Sequence, residues 1–168
     1  MNLFLSTEAR TILSFASIEA FKKECAGILL GYRTPRSIIV RLAIPFQTAE
    51  RRFTEVIFPK KSEQFKKLTA ELPTSDMDVL GTFHSHPSWG SKRYEPRPTS
   101  EDSKSINDGE VEIIIAIDKK KKAVNAGLRK KGREITVSCD QFYLQIRGFI
   151  KKGDKLAPMD LSTHVEEY

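Results

Sequence analysis

Long apolar runs are missing from this sequence. The opening MNLFLSTEAR turns polar after Leu5, whereas a secretory signal needs about 7–15 apolar residues and a membrane span about 20. No later stretch meets either length, which predicts a soluble, cytoplasmic protein with no membrane partner. Cysteine is scarce as well. Cys25 and Cys139 are the only two; they lie far apart and form no C-x-x-C pair. That argues against a disulfide framework and for reduced, buried thiols. Acidic residues are outnumbered 22 to 28 by basic ones, leaving a net charge of +6. The excess gathers in Lys119–Lys122, Arg129–Arg133 and Lys151–Lys155. A basic surface can attract nucleic acid, an acidic protein or an anionic membrane. No aromatic residues interleave these lysines, as a single-strand stacking platform requires. The runs read as solvated turn tips between strands, and nucleic acid is not the expected partner.

What is present suffices for one core. A chain of 168 residues with 39% hydrophobic content buries roughly 70% of the surface that it exposes unfolded. No repeat or low-complexity segment interrupts it. Ser6-Thr7-Glu8 offers an N-cap, and Ile12, Leu13, Phe15, Ala16 and Ala20 follow at helical spacing, predicting a helix over 9–21. CAGILLGY, SIIVRLAIPF, FTEVIF (53–58) and VLGTFHSH (79–86) read as strands. A second helix is expected over 61–72, with Phe65, Leu68 and Leu72 on one face. Residues 87–98 hold three prolines and a glycine and predict a loop, with a helix after it over 99–107. VEIIIAID is the strongest strand and is expected at the centre of the sheet. AVNAGLR and EITVSC form a further pair about a basic turn. Residues 1–150 thus make one mixed α/β domain on a curved sheet, and 151–168 read as a polar, poorly ordered C-terminal tail.

Histidine occurs three times, and two of the three fall in GTFHSHPSWG. On a strand, His84 and His86 point the same way, about 6.6–6.8 Å apart along the chain, with Ser85 on the other face. Two neutral imidazoles converging on one point suit zinc; two unrelated histidines at a strand end are the bland alternative. A catalytic zinc site needs a third ligand, and Asp102 in PTSEDSKS is a candidate downstream. Thr99 lies one helical turn before it, and Thr99-x-x-Asp102 by itself reads first as a helix-capping box with Asp in place of Glu. The zinc deaminase pattern and H-E-x-x-H are absent. A barrel amidohydrolase needs about 250 residues.

Taken together, Glu24, then His84-Ser85-His86-Pro87, then Thr99-x-x-Asp102 resemble the JAMM motif of the MPN+ metalloprotease family. ECAGILLG at 24–31 matches the family's glutamate context, and the resemblance spans roughly residues 5–140. Two departures stand out. The spacer of 12 residues between His86 and Thr99 is longer than usual, in a loop where insertion costs little. Threonine also stands at 99 where the family has serine; it keeps the hydroxyl and adds a methyl group.

The resemblance implies a cytidine-deaminase-like domain, a single curved mixed sheet flanked by helices. It implies that His84, His86 and Asp102 hold one zinc ion with a fourth position for water. Glu24 would be the general base and Thr99 the oxyanion donor. The implied reaction is hydrolysis of a peptide or isopeptide bond after the C-terminal tail of ubiquitin, a ubiquitin-like modifier or a sulfur-carrier protein. The single-domain form looks like a prokaryotic member. Ser85 is expected to anchor its strand, Cys25 to be core, and His164 to be exposed without a role. Trp89, Lys92, Arg93 and Tyr94 could clamp a substrate from the loop. A catalytically silent scaffold and a basic nucleic-acid-associated domain are the competing readings.

Overall fold

Isoleucine, valine and leucine concentrate in short runs, and the computed structural model turns nearly all of those runs into strands. It describes residues 1–46, 63–64, 66–71, 76–88, 91 and 95–163. The strands are β1 (Asn2–Leu5), β2 (Ala26–Arg33), β3 (Ser37–Pro45), β4 (Asp78–Pro87), β5 (Val111–Lys119), β6 (Gly127–Lys131), β7 (Glu134–Cys139), β8 (Phe142–Lys152), β9 (Lys155–Pro158) and β10 (Asp160–Ser162). Helix α1 spans Thr7–Glu19; residues 66–71 are helical, and Asp102–Ser105 form a single helical turn. The strand expected at 53–58, the loop residues Trp89, Lys92, Arg93 and Tyr94, and His164 lie outside the described residues.

Strands take up 50% and helices 18% of the described residues. The expected α/β sheet flanked by helices is therefore overturned. The molecule is mostly β, and its sheet curls into a nearly closed barrel whose own inner face supplies most of the core. The sheet runs β10-β1-β3-β2-β4-β5-β8-β7-β6, with β9 pairing β8 off that path. As expected of its apolar run, β5 is central, between β4 and β8.

Closure comes from three stretches that sequence pattern alone left out. NLFL forms β1, parallel to β3. FYLQIRGFIKK forms β8, antiparallel to β5 from Phe142 to Ile150. Residues 155–162, read as part of a disordered tail, pair first with β8 and then with β1. That one extended segment brings the two sides of the sheet together. Gly148 permits the approach: a Cβ there would lie 2.2 Å from Leu3 Cδ2. Leu3, Leu5, Ile115, Ile146 and Leu161 are fully buried in the resulting core.

Helix α1 packs against β3 and is capped by Ser6, whose hydroxyl accepts the Ala9 N–H at 3.0 Å. Ala9 and Leu13 are buried, while Phe15 turns outward at 64% exposure. In the second helical segment Leu68, expected inward, is exposed at 44% and Thr69 is buried, while Phe65 and Leu72 lie outside the described residues. Cys25 is buried but Cys139 is exposed, which corrects the expectation for the second thiol. The basic runs are exposed at strand ends and turns, one of them about Gly132 with φ +59°. Among the described residues no helix is long and apolar enough to cross a membrane.

Both histidines of the H-x-H pair lie on β4, whose partner on one side is β5. These two strands run parallel, so the chain between them must cross over, and the crossover carries the helical turn Asp102–Ser105. Gly81 sets their separation, because a Cβ there would fall 1.9 Å from the Val111 carbonyl oxygen.

Candidate metal centre

Alternation along β4 puts Thr82, His84 and His86 on one face of the sheet. The strand is held from both sides. On β2, Ala26 stands opposite His84; on β5, Ile114 and Ala116 stand beside His84 and His86. Ser85 faces the other way, fully buried, and its hydroxyl accepts the Cys25 N–H at 2.9 Å. Its own N–H donates to the Cys25 carbonyl at 2.9 Å. Ser85 thus fixes the strand between the histidines, and Cys25 belongs to the core.

The two imidazoles converge, with Nε2 atoms 2.9 Å apart. Asp102 Oδ1 approaches His84 Nε2 to 3.5 Å. One potential ligand atom from each of the three residues lies within 4.8 Å of the others. Metal–ligand bonds of about 2.0–2.1 Å at tetrahedral angles set ligand atoms about 3.3–3.4 Å apart. The observed 2.9 and 3.5 Å separations bracket that figure. Two imidazoles and a carboxylate are also the donor set of a three-ligand catalytic site. The group His84, His86 and Asp102 can hold a metal ion.

Asp102 has a second task. Its Oδ2 accepts the Thr99 N–H at 2.5 Å, while the Thr99 hydroxyl accepts the Asp102 N–H at 3.3 Å. That reciprocal pattern is a capping box leading into the helical turn. The two readings of Thr99-x-x-Asp102 are therefore compatible, because each carboxylate oxygen serves a different partner.

One further residue joins the group from β5. Glu112 stands beside Thr82 in the parallel register and is 2% exposed. Its Oε1 lies 2.5 Å from His84 Nδ1, and its Oε2 accepts the Thr82 hydroxyl.

Residues 9–127 match the family of prokaryotic homologs of the JAB domain. The chain belongs to that family. Among solved structures, this JAB domain is similar to the solution structure of protein DSY2949 from Desulfitobacterium hafniense. The TM-score is 0.52 at 18% identity, over 98% of this chain and 95% of the other. At that identity the likeness concerns the fold. No curated protein matches the sequence.

In this JAB domain the two histidines sit in opposing environments. Burial works against protonation of His84, but the hydrogen bond and charge of Glu112, with the charges of Asp102 and Glu24, outweigh it and raise its pKa. Burial and the neighbouring His84 charge lower the pKa of His86, against smaller opposing influences from Asp102, a backbone hydrogen bond at Glu95, and Glu24. Glu24 itself is exposed, beside the β2–β4 contact made by Cys25 and Ser85, within electrostatic reach of both rings. It lines one end of a cavity of about 540 Å³ with Phe15 and Ala16 of α1 and Pro45 and Phe46.

Sequence pattern thus named the residues of the metal group, and the fold brings them together. Glu112 and Thr82 escaped it. A signal for Glu112 was present, since a glutamate inside VEIIIAID is a carboxylate in a buried strand, and such a group needs a partner. Which partner depends on the register of β4 against β5, and no local pattern encodes that.

Proposed function

We propose that this JAB domain is a zinc-dependent isopeptidase or peptidase. Its substrates are amide bonds that follow the C-terminal tail of ubiquitin, a ubiquitin-like modifier or a sulfur-carrier protein. The observation that carries the reading is the convergence of His84, His86 and Asp102 on one point, with Glu24 in electrostatic reach. The resemblance to JAMM proteases supplies the substrate class.

Bound zinc supplies a Lewis acid and lowers the pKa of water to about 7 in favourable sites. Glu24 accepts a proton from the attacking water and delivers it to the leaving amine, a contribution worth typically about 10²–10⁴-fold. Being exposed, it can exchange protons with solvent between turnovers. Thr99 offers its hydroxyl to the developing oxyanion. Its oxygen already accepts the Asp102 N–H, which orients the hydroxyl and leaves its hydrogen available to donate.

The test is metal content followed by cleavage. Wild-type protein should carry about one zinc per chain, His86→Ala should carry none, and only the former should release ubiquitin-like proteins from C-terminal fusions. A folded wild type that takes up no zinc when offered it would leave a silent scaffold as the better reading.

A further inference from the structure

We propose that Glu112, braced by Thr82, is the positioning residue that presents His84 Nε2 to the metal. The proposal rests on the zinc reading and adds a residue outside the Glu24, His-x-His and Asp102 pattern.

Hydrogen placement decides the tautomer of His84. An ionised carboxylate can only accept, and Glu112 has a partner on each oxygen. The Thr82 hydroxyl donates to Oε2, and His84 Nδ1 lies 2.5 Å from Oε1. His84 must therefore carry a proton on Nδ1, so Nε2, which faces His86 and Asp102, is the nitrogen left for the metal. Were the tautomer reversed, Nδ1 and Oε1 would be two acceptors in contact, and Nε2–H would point at the other ligands.

Rigidity follows from location. Glu112 and Thr82 are cross-strand partners in the middle of the sheet, 2% and 2% exposed. Each carboxylate oxygen is held by a partner and both side chains are closed off from solvent, so the carboxylate fixes the ring's rotation as well as its tautomer. A leucine or isoleucine at 112 would match the rest of β5 without the cost of burying a charge. What the carboxylate adds is its hold on His84. Partners of this kind raise the basicity of a ligating imidazole, and their loss typically weakens metal binding by about 10–100-fold.

Zinc affinity, measured by competition with a chromophoric chelator, tests this on wild type, Glu112→Gln, Glu112→Leu and Thr82→Val. Glu112→Leu occupies similar space without an acceptor. We expect a loss of about 10–100-fold for both Glu112 variants and a smaller loss for Thr82→Val. Nitrogen-15 NMR of the zinc-loaded wild type should show a protected Nδ1–H on His84, with Nε2 metallated. In Glu112→Leu that proton should lose its protection, an effect that a general loosening of the fold would not confine to one ring. Folded Glu112 variants binding zinc within about twofold of wild type would overturn the proposal while leaving the zinc reading intact. If the variants do not fold, the wild-type spectrum decides: metal on Nδ1 of His84 rejects the assignment. A wild type that binds no zinc removes both readings together.

Discussion

Asp102 shows how much one side chain can be asked to do. One oxygen faces His84 and the other accepts the Thr99 N–H at the start of the turn that carries it, so the carboxylate is oriented by the Thr99 backbone. Thr99→Ser keeps the hydroxyl and should retain activity. Thr99→Ala removes the proposed oxyanion donor together with a cap worth about 0.5–2 kcal/mol. Most activity should then be lost at the level of kcat, with zinc content preserved; if zinc is lost in step with activity, the residue acts through the cap alone. Glu24 sets a second residue-scale test. Glu24→Gln should leave zinc bound and lower turnover by about 10²–10⁴-fold, measured on the same ubiquitin-like fusion. Loss of zinc in that variant would make Glu24 a ligand or a structural residue. Both side chains could be singled out in the sequence, because they keep the order of a known motif, although the spacer before Thr99 is longer and threonine replaces serine. Glu112 was not, because its significance lies in a neighbour 28 residues away.

At the scale of elements, the pairing of β4 with β5 decides whether the site exists. Its parallel register sets Thr82 beside Glu112, and the close approach at Gly81 makes that register attainable. Gly81→Ala would drive a methyl group into the Val111 carbonyl. It should cost about 1–3 kcal/mol or more, as overpacking does, and should weaken zinc binding as the triad of Thr82, Glu112 and His84 shifts. Urea denaturation and a zinc titration on the same variant check both effects. A stability equal to wild type would show that the strands can separate locally without consequence. The strand itself was plain from VLGTFHSH, since β-branched and aromatic residues mark it. The helix expected over 99–107 contracted to Asp102–Ser105. Asn107, Gly109 and Glu110 turn the chain directly into β5: the Asn107 N–H donates to Glu110, and Gly109 adopts φ +80°. Turn chemistry at one end thus overrode helical pattern across the segment.

For the whole molecule, barrel closure by residues 155–162 is the main structural event. Their backbone groups complete β8 and β1, and Leu161 enters the core with no exposure. Leu161→Ala should therefore cost about 2–5 kcal/mol, as for other buried leucines, a fall that thermal or urea denaturation would register. An effect below about 0.5 kcal/mol, ordinary for a surface position, would restore the disordered-tail reading. The segment was misread because its few apolar residues gave no pattern, and strand pairing draws on backbone hydrogen bonds that any residue but proline supplies. Sequence alone singled out the residues of the candidate metal group and the strands with strong apolar runs, because side-chain chemistry and two-residue alternation are local properties. Tertiary structure alone decided that the sheet closes on itself and that Glu112 meets His84. Both depend on contacts between distant segments, whose register follows from how the whole core packs.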